Sequence, residues 1–163
     1  MTGPVLFCFD GSDGSASALT DGGALLARRV AVVLTVWETV VTQLATSGFG
    51  FGYVADESEP DASEERAARA AAQFGALTAE RHGWEATARI ENAPVCVWQT
   101  VVAVADEINA SLIVCGARGR NAAKRALLGS VAEAVLHHSH RPTLIAPQRD
   151  DPNVLAERAF TTE

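Results

Sequence analysis

Three glycines and a serine in the last third of the sequence have the types and spacing of a phosphate-binding segment. Gly116 and Gly119 follow a short apolar run, and nine residues separate Gly119 from Gly129 and Ser130, which open a segment of helical periodicity. Glycines let backbone amides approach an anion closely, and a helix N-terminus presents unpaired N–H groups with partial positive charge. Because the Ser130 hydroxyl adds a further donor, the segment predicts a site for a phosphate chain.

The charge of this segment contrasts with that of the whole chain. Between Asn109 and Ala132 there is no Asp or Glu, but there are four of the 13 basic residues, Arg118, Arg120, Lys124 and Arg125. The 163-residue chain carries 20 acidic residues and a net charge of −7. An acidic surface repels phosphate backbones and anionic lipids, so we expect no nucleic acid and no membrane as partners. The basic loop is expected to attract a small anion.

Several of these residues also have structural interpretations that the sequence leaves open. Gly116 and Gly119 could shape a turn after a strand, while Gly129 and Ser130 could cap a helix. Asp10, at the end of the first apolar run, could be a catalytic carboxylate or the N-cap of the next helix. No second acid has an obvious place beside it in the sequence, so we interpret Asp10 as a residue that orients a ligand.

Other catalytic and metal sites receive little support from the sequence. His137, His138 and His140 fall at a predicted helix end, where imidazoles favour the negative end of the dipole and water over a metal. The chain has no Gly-x4-Gly-Lys-Ser/Thr loop and no Gly-x-Gly-x-x-Gly motif after a strand, and Ser130 lies in no nucleophile elbow. We therefore exclude ordinary P-loop NTPases and dinucleotide oxidoreductases, and predict neither catalytic residues nor metal ligands.

The elements that must position the phosphate-binding segment alternate between strands and helices. Apolar runs predict five strands, at residues 4–9, 30–37, 84–90, 111–115 and 141–147. Helical spacing of apolar residues predicts four helices, at residues 15–29, 67–79, 93–109 and 129–139. Parallel strands need long crossovers, so this alternation predicts an α/β fold with one open parallel sheet and helices on both faces. Ligands in such sheets bind beyond the carboxyl ends of the strands where strand order reverses.

Two stretches fall outside this alternation. Residues 38–61 form a predicted loop, either functional or a surface insertion, and residues 148–163 form a polar tail after a single domain at residues 1–147. The chain has three cysteines, Cys8, Cys96 and Cys115. Their spacing fits no metal site and their number is odd, so we expect reduced thiols and no structural disulfide. Together with the lack of a basic leader, this predicts a cytoplasmic protein.

Four short motifs resemble those of a known family. They are Phe9-Asp10-Gly11-Ser12, Leu34-Thr35-Val36-Trp37-Glu38, Asn92-Ala93-Pro94 and the Gly-x2-Gly-x9-Gly-Ser spacing from Gly116 to Ser130. The chain resembles the universal stress protein family, in its ATP-binding subgroup, over about residues 4–147. The resemblance implies a Rossmann-like five-stranded sheet in the order 3-2-1-4-5 and a homodimer. It also implies that residues 1–147 bind ATP, with or without Mg²⁺, across the first and fourth strands in a stress-response module.

The resemblance also assigns residues to parts of the nucleotide. Asp10 and Val36 would border the adenosine, and Gly116 and Gly119 the ribose and phosphates. The phosphates would be bordered by Gly129, Ser130 and Val131, and the basic loop adds Arg118 as a binding residue. Because successive strand side chains point to opposite faces, Trp37 is expected to face away from the adenosine that Val36 faces.

One position departs from the family pattern, and two other functions stay open. Ala132 stands where a second hydroxyl is common in the family, which we expect to weaken phosphate contact. The homodimer is expected to form through the fifth strand, Thr143–Ala146, because this strand is short, apolar and last in the implied sheet order. The alternatives are a slow ATPase with weak hydrolysis at most, and a dimerisation module that has lost nucleotide binding.

Overall fold

Five parallel strands form one sheet in the computed structural model, which describes residues 3–39, 58–119 and 128–148. The strands are β1 (Val5–Cys8), β2 (Val30–Trp37), β3 (Glu85–Asn92), β4 (Leu112–Gly116) and β5 (Thr143–Ala146). They lie in the order β3-β2-β1-β4-β5, and every neighbouring pair is parallel. The predicted α/β class and the order 3-2-1-4-5 are therefore confirmed.

The described part of the chain contains four α-helices. They are α1 (Asp13–Ser17), α2 (Ser58–Arg81), α3 (Val97–Glu107) and α4 (Ser130–His138). Ser12 caps α1, because its Oγ accepts a hydrogen bond from the Ser15 amide at 3.2 Å, and the helix continues as a π-helical turn at Ala18–Gly22. This first helix thus begins and ends earlier than the predicted span of residues 15–29. Across the described residues, none of the helices combines the length and the apolar character that a membrane span requires.

The second helix is longer than the sequence predicted. α2 begins at Ser58 instead of residue 67, so residues 58–61 are helical and do not belong to the predicted loop. The first turns of α2 are rich in acidic residues, which suit the positive end of the helix dipole but interrupt the apolar repeat. Residues 40–57 of the predicted loop and residues 149–163 of the predicted tail lie outside the described residues.

Helices cover both faces of the sheet. Side chains alternate between the two faces along each strand, so each face presents apolar residues that a helix can bury. Phe7 and Val33 are buried on one face, in a cluster with residues of the π-helical turn and α2. Leu6 and Ile113 are buried on the other face, in a cluster with residues of α3 and α4. The predicted double covering of the sheet is therefore confirmed.

The two edge strands differ in charge. At one edge, Arg89 of β3 forms a bidentate salt bridge with Glu107 of α3, at 2.6 and 3.0 Å, and a second bridge with Glu91 at 2.7 Å. At the other edge, β5 has the sequence Thr-Leu-Ile-Ala and carries no charge. One edge of the sheet is charged, and the other is mostly apolar.

The loops that follow β1 and β4 meet at the carboxyl edge of the sheet, because the strand order reverses between these two strands. Two glycines allow this approach. A Cβ at Gly14 would collide with the carbonyl oxygen of Arg118, and a Cβ at Gly116 would lie 2.6 Å from the carbonyl oxygen of Gly14. The start of α1 and the end of β4 therefore pack backbone against backbone, which only glycine at both positions permits.

Candidate functional site

A cleft of about 900 Å³ opens at the carboxyl edge of the sheet, beside the loops that follow β1 and β4. Its lining includes residues of β1, β2 and β4 and of all four described α-helices. All eight residues predicted to bind the nucleotide line this cleft: Asp10, Val36, Gly116, Arg118, Gly119, Gly129, Ser130 and Val131. The fold thus gathers into one cavity residues that are widely separated in the sequence.

Asp10 connects the two loops of the cleft. Its Oδ1 accepts hydrogen bonds from the Ser12 amide at 3.0 Å and from the Ser12 hydroxyl at 2.5 Å. Because Ser12 is the N-cap of α1, the alternative that Asp10 caps this helix is wrong. On its other side, a Cβ at Gly119 would lie 2.8 Å from Oδ2 of Asp10. The absence of a side chain at Gly119 therefore lets the loop after β4 approach the carboxylate.

Gly116 and Gly129 line the cleft for different reasons. The packing of Gly116 on Gly14 already requires a glycine there, whatever the cleft contains. Gly129 is the N-cap of α4 with an extended backbone, φ −76° and ψ 151°, and its amide donates a hydrogen bond to the Ala117 carbonyl at 2.7 Å. A Cβ at Gly129 would lie 3.4 Å from that oxygen, which is an ordinary contact. The fold therefore tolerates a small side chain at Gly129 but not at Gly116.

The first turn of α4 borders the cleft with the positive end of a helix. Ser130, Val131 and Ala132 line the cleft. The first hydrogen bond of the helix runs from the Glu133 amide to the Gly129 carbonyl, at 2.9 Å. The amides that precede this bond have no partner within the helix, and no side chain caps it at Gly129. These amides, together with the dipole, form the wall of the cleft that suits an anion.

Arg118 adds a positive charge to the same wall. Its Nε is buried and has no hydrogen-bond partner within the described residues. A buried N–H without a partner costs about 1–3 kcal/mol, and an anion in the cleft would remove that cost. Three further basic residues follow Arg118 in the basic loop between Gly116 and Gly129. These residues, Arg120, Lys124 and Arg125, lie outside the described residues.

An apolar wall lies at the β2 end of the cleft. Its side chains come from the strand ends and from α3: Leu34, Val36, Trp37, Val97, Trp98 and Val101. Trp37, the last residue of β2, lines the cleft together with Val36. The expectation that Trp37 faces away from the adenosine stays a prediction. This wall has the flat, apolar surfaces that a nucleobase contacts.

Sequence reasoning missed three cleft residues that come from other elements. Trp98 lies in the first turn of α3, Glu64 lies in the early part of α2, and Glu38 follows β2. The Asn92-Ala93-Pro94 motif could have predicted Trp98 as a cleft residue. The motif connects the carboxyl end of β3 to the start of α3, so it places the first turn of α3 at the carboxyl edge of the sheet, where the cleft lies. The two carboxylates accept hydrogen bonds and repel phosphate, so they suit the hydroxyl or amino groups of a ligand.

The histidines near the end of α4 belong to no three-residue metal-binding group among the described side chains. In the ranges that the structure describes, no group of three or more His, Cys, Asp or Glu side chains could hold a metal ion. The His138 ring is stacked on Trp98 with centroids 4.5 Å apart.

All three cysteines of the chain line the cleft as free thiols: Cys8, Cys96 and Cys115. The pKa of Cys8 is raised well above its ordinary value of 9.0 by a hydrogen bond with Cys115, by burial, and by the charges of Cys115 and Asp10. Cys8 is therefore a protonated thiol at neutral pH.

Comparison with known proteins identifies relatives of this chain. The model described as "Universal stress protein family" matches residues 1–147. A Staphylococcus saprophyticus protein named for the same family is 35% identical over 60 residues. That match spans 37% of this chain and 36% of the relative, so the chain covers about a third of that relative's length.

Solved structures extend the similarity to the whole fold. A hypothetical protein whose biochemical function was assigned from its structure has a TM-score of 0.74 at 21% identity, covering 93% of this chain and 99% of its own. A protein of this family from Burkholderia pseudomallei has a TM-score of 0.66 at 26% identity, covering 89% of this chain and 96% of its own.

Two further similar structures contain an adenine nucleotide. One is a universal stress protein in complex with cAMP, with a TM-score of 0.61 at 23% identity, covering 90% of this chain and 98% of its own. The other is the Archaeoglobus fulgidus protein in complex with dAMP, with a TM-score of 0.53 at 19% identity, covering 87% and 95%.

Proposed function

The chain belongs to the universal stress protein family, and on that premise we propose that its cleft binds ATP and that nucleotide occupancy regulates a stress-response activity. We assign binding to a domain at residues 1–147, followed by a tail at residues 148–163. We also propose a cytoplasmic location, which the three free thiols support, because thiols stay reduced in that compartment.

The observation that carries this proposal is the buried Nε of Arg118, which has no hydrogen-bond partner among the described residues and lies beside the first turn of α4. Both groups favour a negative charge: the guanidinium by its own charge, and the helix by its unpaired amides and dipole. Ser130 supplies a hydroxyl donor at the same helix start. A chain of phosphates would therefore lie along the β4 loop and α4, with Gly119 and Gly129 leaving space for its oxygens.

The nucleoside would lie at the other end of the cleft, against Val36 and the indole of Trp98. Glu38 and Glu64 also line the cleft and could accept hydrogen bonds from ribose hydroxyls or from the adenine amino group. The adenine nucleotides in two similar structures support the choice of adenine.

Mg²⁺ would enter the cleft as the counter-ion of ATP and neutralise charge on the phosphates. The described residues offer no cluster of three metal-binding side chains. Mg²⁺ usually keeps several water ligands and binds through substrate phosphates with only one or two carboxylates. Asp10, which borders the phosphate end through Gly119, is the carboxylate best placed to contribute.

We propose a regulatory binding module and not an efficient hydrolase. Activation of water for attack on ATP requires a positioned base. The described lining of the cleft contains no histidine or lysine, and the Asp10 carboxylate is already hydrogen-bonded by Ser12. Glu38 and Glu64 also line the cleft, but we assign these two carboxylates to the nucleoside and not to the phosphates. A slow ATPase is the alternative, and product analysis separates it from a binder.

The proposal includes a homodimer through β5. This strand lies at one edge of the sheet, so one side of its backbone has no neighbouring strand among the described residues. Its residues, Thr143–Ala146, are uncharged, and an edge of this kind pairs readily with another strand. A two-fold axis would place the two β5 strands antiparallel.

Equilibrium dialysis with ATP, ADP and AMP tests the binding proposal. We expect the wild type to bind ATP more tightly than AMP, because Arg118 and α4 act on the phosphates. Arg118→Gln should weaken ATP binding by about tenfold or more, the worth of a hydrogen bond to a charged group. The effect on AMP should be smaller. Analysis of the nucleotide after prolonged incubation will detect ATP hydrolysis.

Arg81→Gln is the matched control, because it removes the same charge at an exposed position in the last turn of α2. The end of α2 leads into the amino-terminal end of β3, whereas the cleft lies at the carboxyl ends of the strands. Equal ATP affinities of the Arg118 and Arg81 variants would contradict the assigned phosphate site. Absence of ATP binding by the folded wild type would contradict the function and favour a dimerisation module.

A further inference from the structure

Two cysteines lie side by side on neighbouring strands at the floor of the cleft. The β1–β4 register pairs Phe7 with Val114, so the next position along both strands brings Cys8 beside Cys115. Both residues belong to the apolar cluster on the α3 and α4 face of the sheet, and both line the cleft. Cys115 is also the main cause of the raised pKa of Cys8, as expected of two thiols in contact. The two sulfurs therefore occupy the same small volume.

The backbone spacing at this position suits a covalent bond. Neighbouring strands lie about 4.7–4.9 Å apart, which falls within the Cα separation of about 4.4–6.8 Å that disulfides require. The side chains point to the same face, so rotation about their χ1 angles brings the sulfurs together without a shift of strand register. Cys96 has no such position beside either cysteine in the sheet, because it is the N-cap residue of α3.

The two thiols differ in access. Cys115 is 3% exposed, whereas Cys8 is only partly buried and lines the cleft. A small oxidant that enters the cleft therefore reaches Cys8 first. Cys115 is then the neighbouring thiol that can complete the reaction.

We propose that Cys8 and Cys115 form a reversible disulfide when a peroxide enters the cleft, and that this bond controls nucleotide binding. The Cys8 sulfur attacks one oxygen of hydrogen peroxide and the thiol proton goes to the leaving hydroxide, which gives the Cys8 sulfenic acid and one water. The Cys115 sulfur then displaces the sulfenic oxygen as water, and its proton goes to that water. In total, two thiols lose two electrons and two protons, and one peroxide becomes two waters. A small dithiol reverses the reaction.

Control of nucleotide binding rests on the function proposed above. The disulfide would join the carboxyl ends of β1 and β4, two residues before Asp10 and one residue before Gly116. These strand ends carry the two loops that would border the nucleotide, and the contact between Asp10 and Gly119 depends on their spacing. By thermodynamic linkage, a bond that weakens ATP binding must itself be disfavoured by bound ATP.

The bond is tested without nucleotide, on the purified full chain. After peroxide treatment, thiols counted under denaturing conditions should fall from three to one, and the intact mass should fall by about 2 Da. A peptide map without reductant should join the peptides of Cys8 and Cys115, and dithiothreitol should restore all three thiols. Retention of three thiols, or a bond that involves Cys96, would overturn the proposal.

Two variants make the assignment specific. Cys115→Ser should prevent the 2 Da loss and leave sulfenic or more oxidised Cys8, while Cys96→Ser should form the bond as the wild type does. Cys115→Ala provides a second test should the serine variant fold poorly. A disulfide that still forms in a folded Cys115 variant would overturn the pairing.

Dialysis with ATP then separates the two proposals. Reduced wild type should bind ATP, and the oxidised protein should bind it at least tenfold more weakly, with recovery after reduction. A disulfide in a protein whose reduced form does not bind ATP would contradict the proposed function but leave the thiol pair established. ATP binding that oxidation leaves unchanged would contradict control by the disulfide.

Discussion

The indole of Trp98 stacks on the imidazole of His138, with ring centroids 4.5 Å apart and ring planes inclined at 24°. Trp98 lines the cleft at the start of α3, and His138 is the last residue of α4. The stack therefore joins the apolar wall of the cleft to the helix whose first turn forms its anion-binding wall.

Trp98 should report nucleotide binding. A variant that keeps only Trp98, with Trp37 and Trp84 replaced by Phe, should change its fluorescence on addition of ATP, because the nucleoside would contact the indole. A variant that keeps only Trp84 should not respond, since Trp84 is 4% exposed and packs edge-to-face on Phe7, away from the cleft. Dialysis of both variants measures binding independently. A silent Trp98 in a variant that binds ATP would contradict the position of the nucleoside.

Two glycine substitutions should separate the approach to Asp10 from the general effect of an added methyl group. Gly119→Ala puts a Cβ 2.8 Å from Oδ2 of Asp10, so the carboxylate must move relative to Ser12. We expect ATP affinity to fall by about fivefold or more, or ~1 kcal/mol. Gly23→Ala is the control, because its Cβ would lie 3.4 Å from the nearest atom, in the Phe7 ring, and Gly23 does not line the cleft. ATP titrations in which both variants lose the same affinity would show that Asp10 does not position the ligand.

The β5 edge can be tested by a charge. Ile145→Lys should convert a homodimer to a monomer in sedimentation velocity, because a lysine at the pairing edge opposes strand pairing. Thr87→Lys adds the same charge to the exposed surface of β3 at the opposite edge and should leave the dimer intact. Circular dichroism of both variants will establish that the fold is retained. A wild type that sediments as a monomer at micromolar concentration would contradict the proposed dimer.

The raised pKa of Cys8 should make stability depend on pH. Cys115 and Asp10 both raise the pKa of the Cys8 thiol. Among the described residues of the cleft lining, Arg118 is the cation. Because the pKa is higher in the folded state than the ordinary value of 9.0, the unfolded chain loses this proton first as pH rises. The thiol therefore contributes stability that is present below pH 9 and lost above it.

Urea unfolding in the presence of a reductant, from pH 7 to pH 10.5, measures this effect. Above pH 9 the wild type should lose free energy of unfolding more steeply than Cys8→Ser, by at most about 1.4 kcal/mol per pH unit. Parallel pH profiles for the two proteins would show that Cys8 titrates alike in the folded and unfolded states.

The sequence predicted the sheet well because its three central strands, β2, β1 and β4, are largely buried apolar runs. β2 occupies residues 30–37 as predicted, and each end of the other four strands lies one or two residues from its predicted position. In a parallel sheet covered on both faces, nearly every strand residue must be apolar, so the strands stand out from their surroundings. The apolar pattern marked only residues 67–79 of α2, because the acidic turns at the start of this helix carry no apolar repeat.

Five of the predicted site residues lie at a strand end or in the loop after it, and the topology of the sheet puts strand ends together: Asp10, Val36, Gly116, Arg118 and Gly119. The other three, Gly129, Ser130 and Val131, open a predicted helix that follows the same loop. Trp98 and Glu64 come instead from helices, whose position over the cleft depends on how those helices pack on the sheet. Gly116 shows a second limit of sequence reasoning. The motif indicated that a glycine belongs there, but the contact with Gly14 that requires it became visible only in three dimensions.

The salt bridges of Arg89 also bear on how far assembly can proceed. A sheet with two apolar edges can add copies at both ends and grow into an insoluble fibre. Here Arg89 is held by Glu91 and Glu107 at the β3 edge, and pairing of a further strand there would have to desolvate these charges. Two copies joined through β5 would present this charged edge at both ends of a continuous ten-stranded sheet. Growth would then stop at two copies, which keeps the protein dispersed at high concentration.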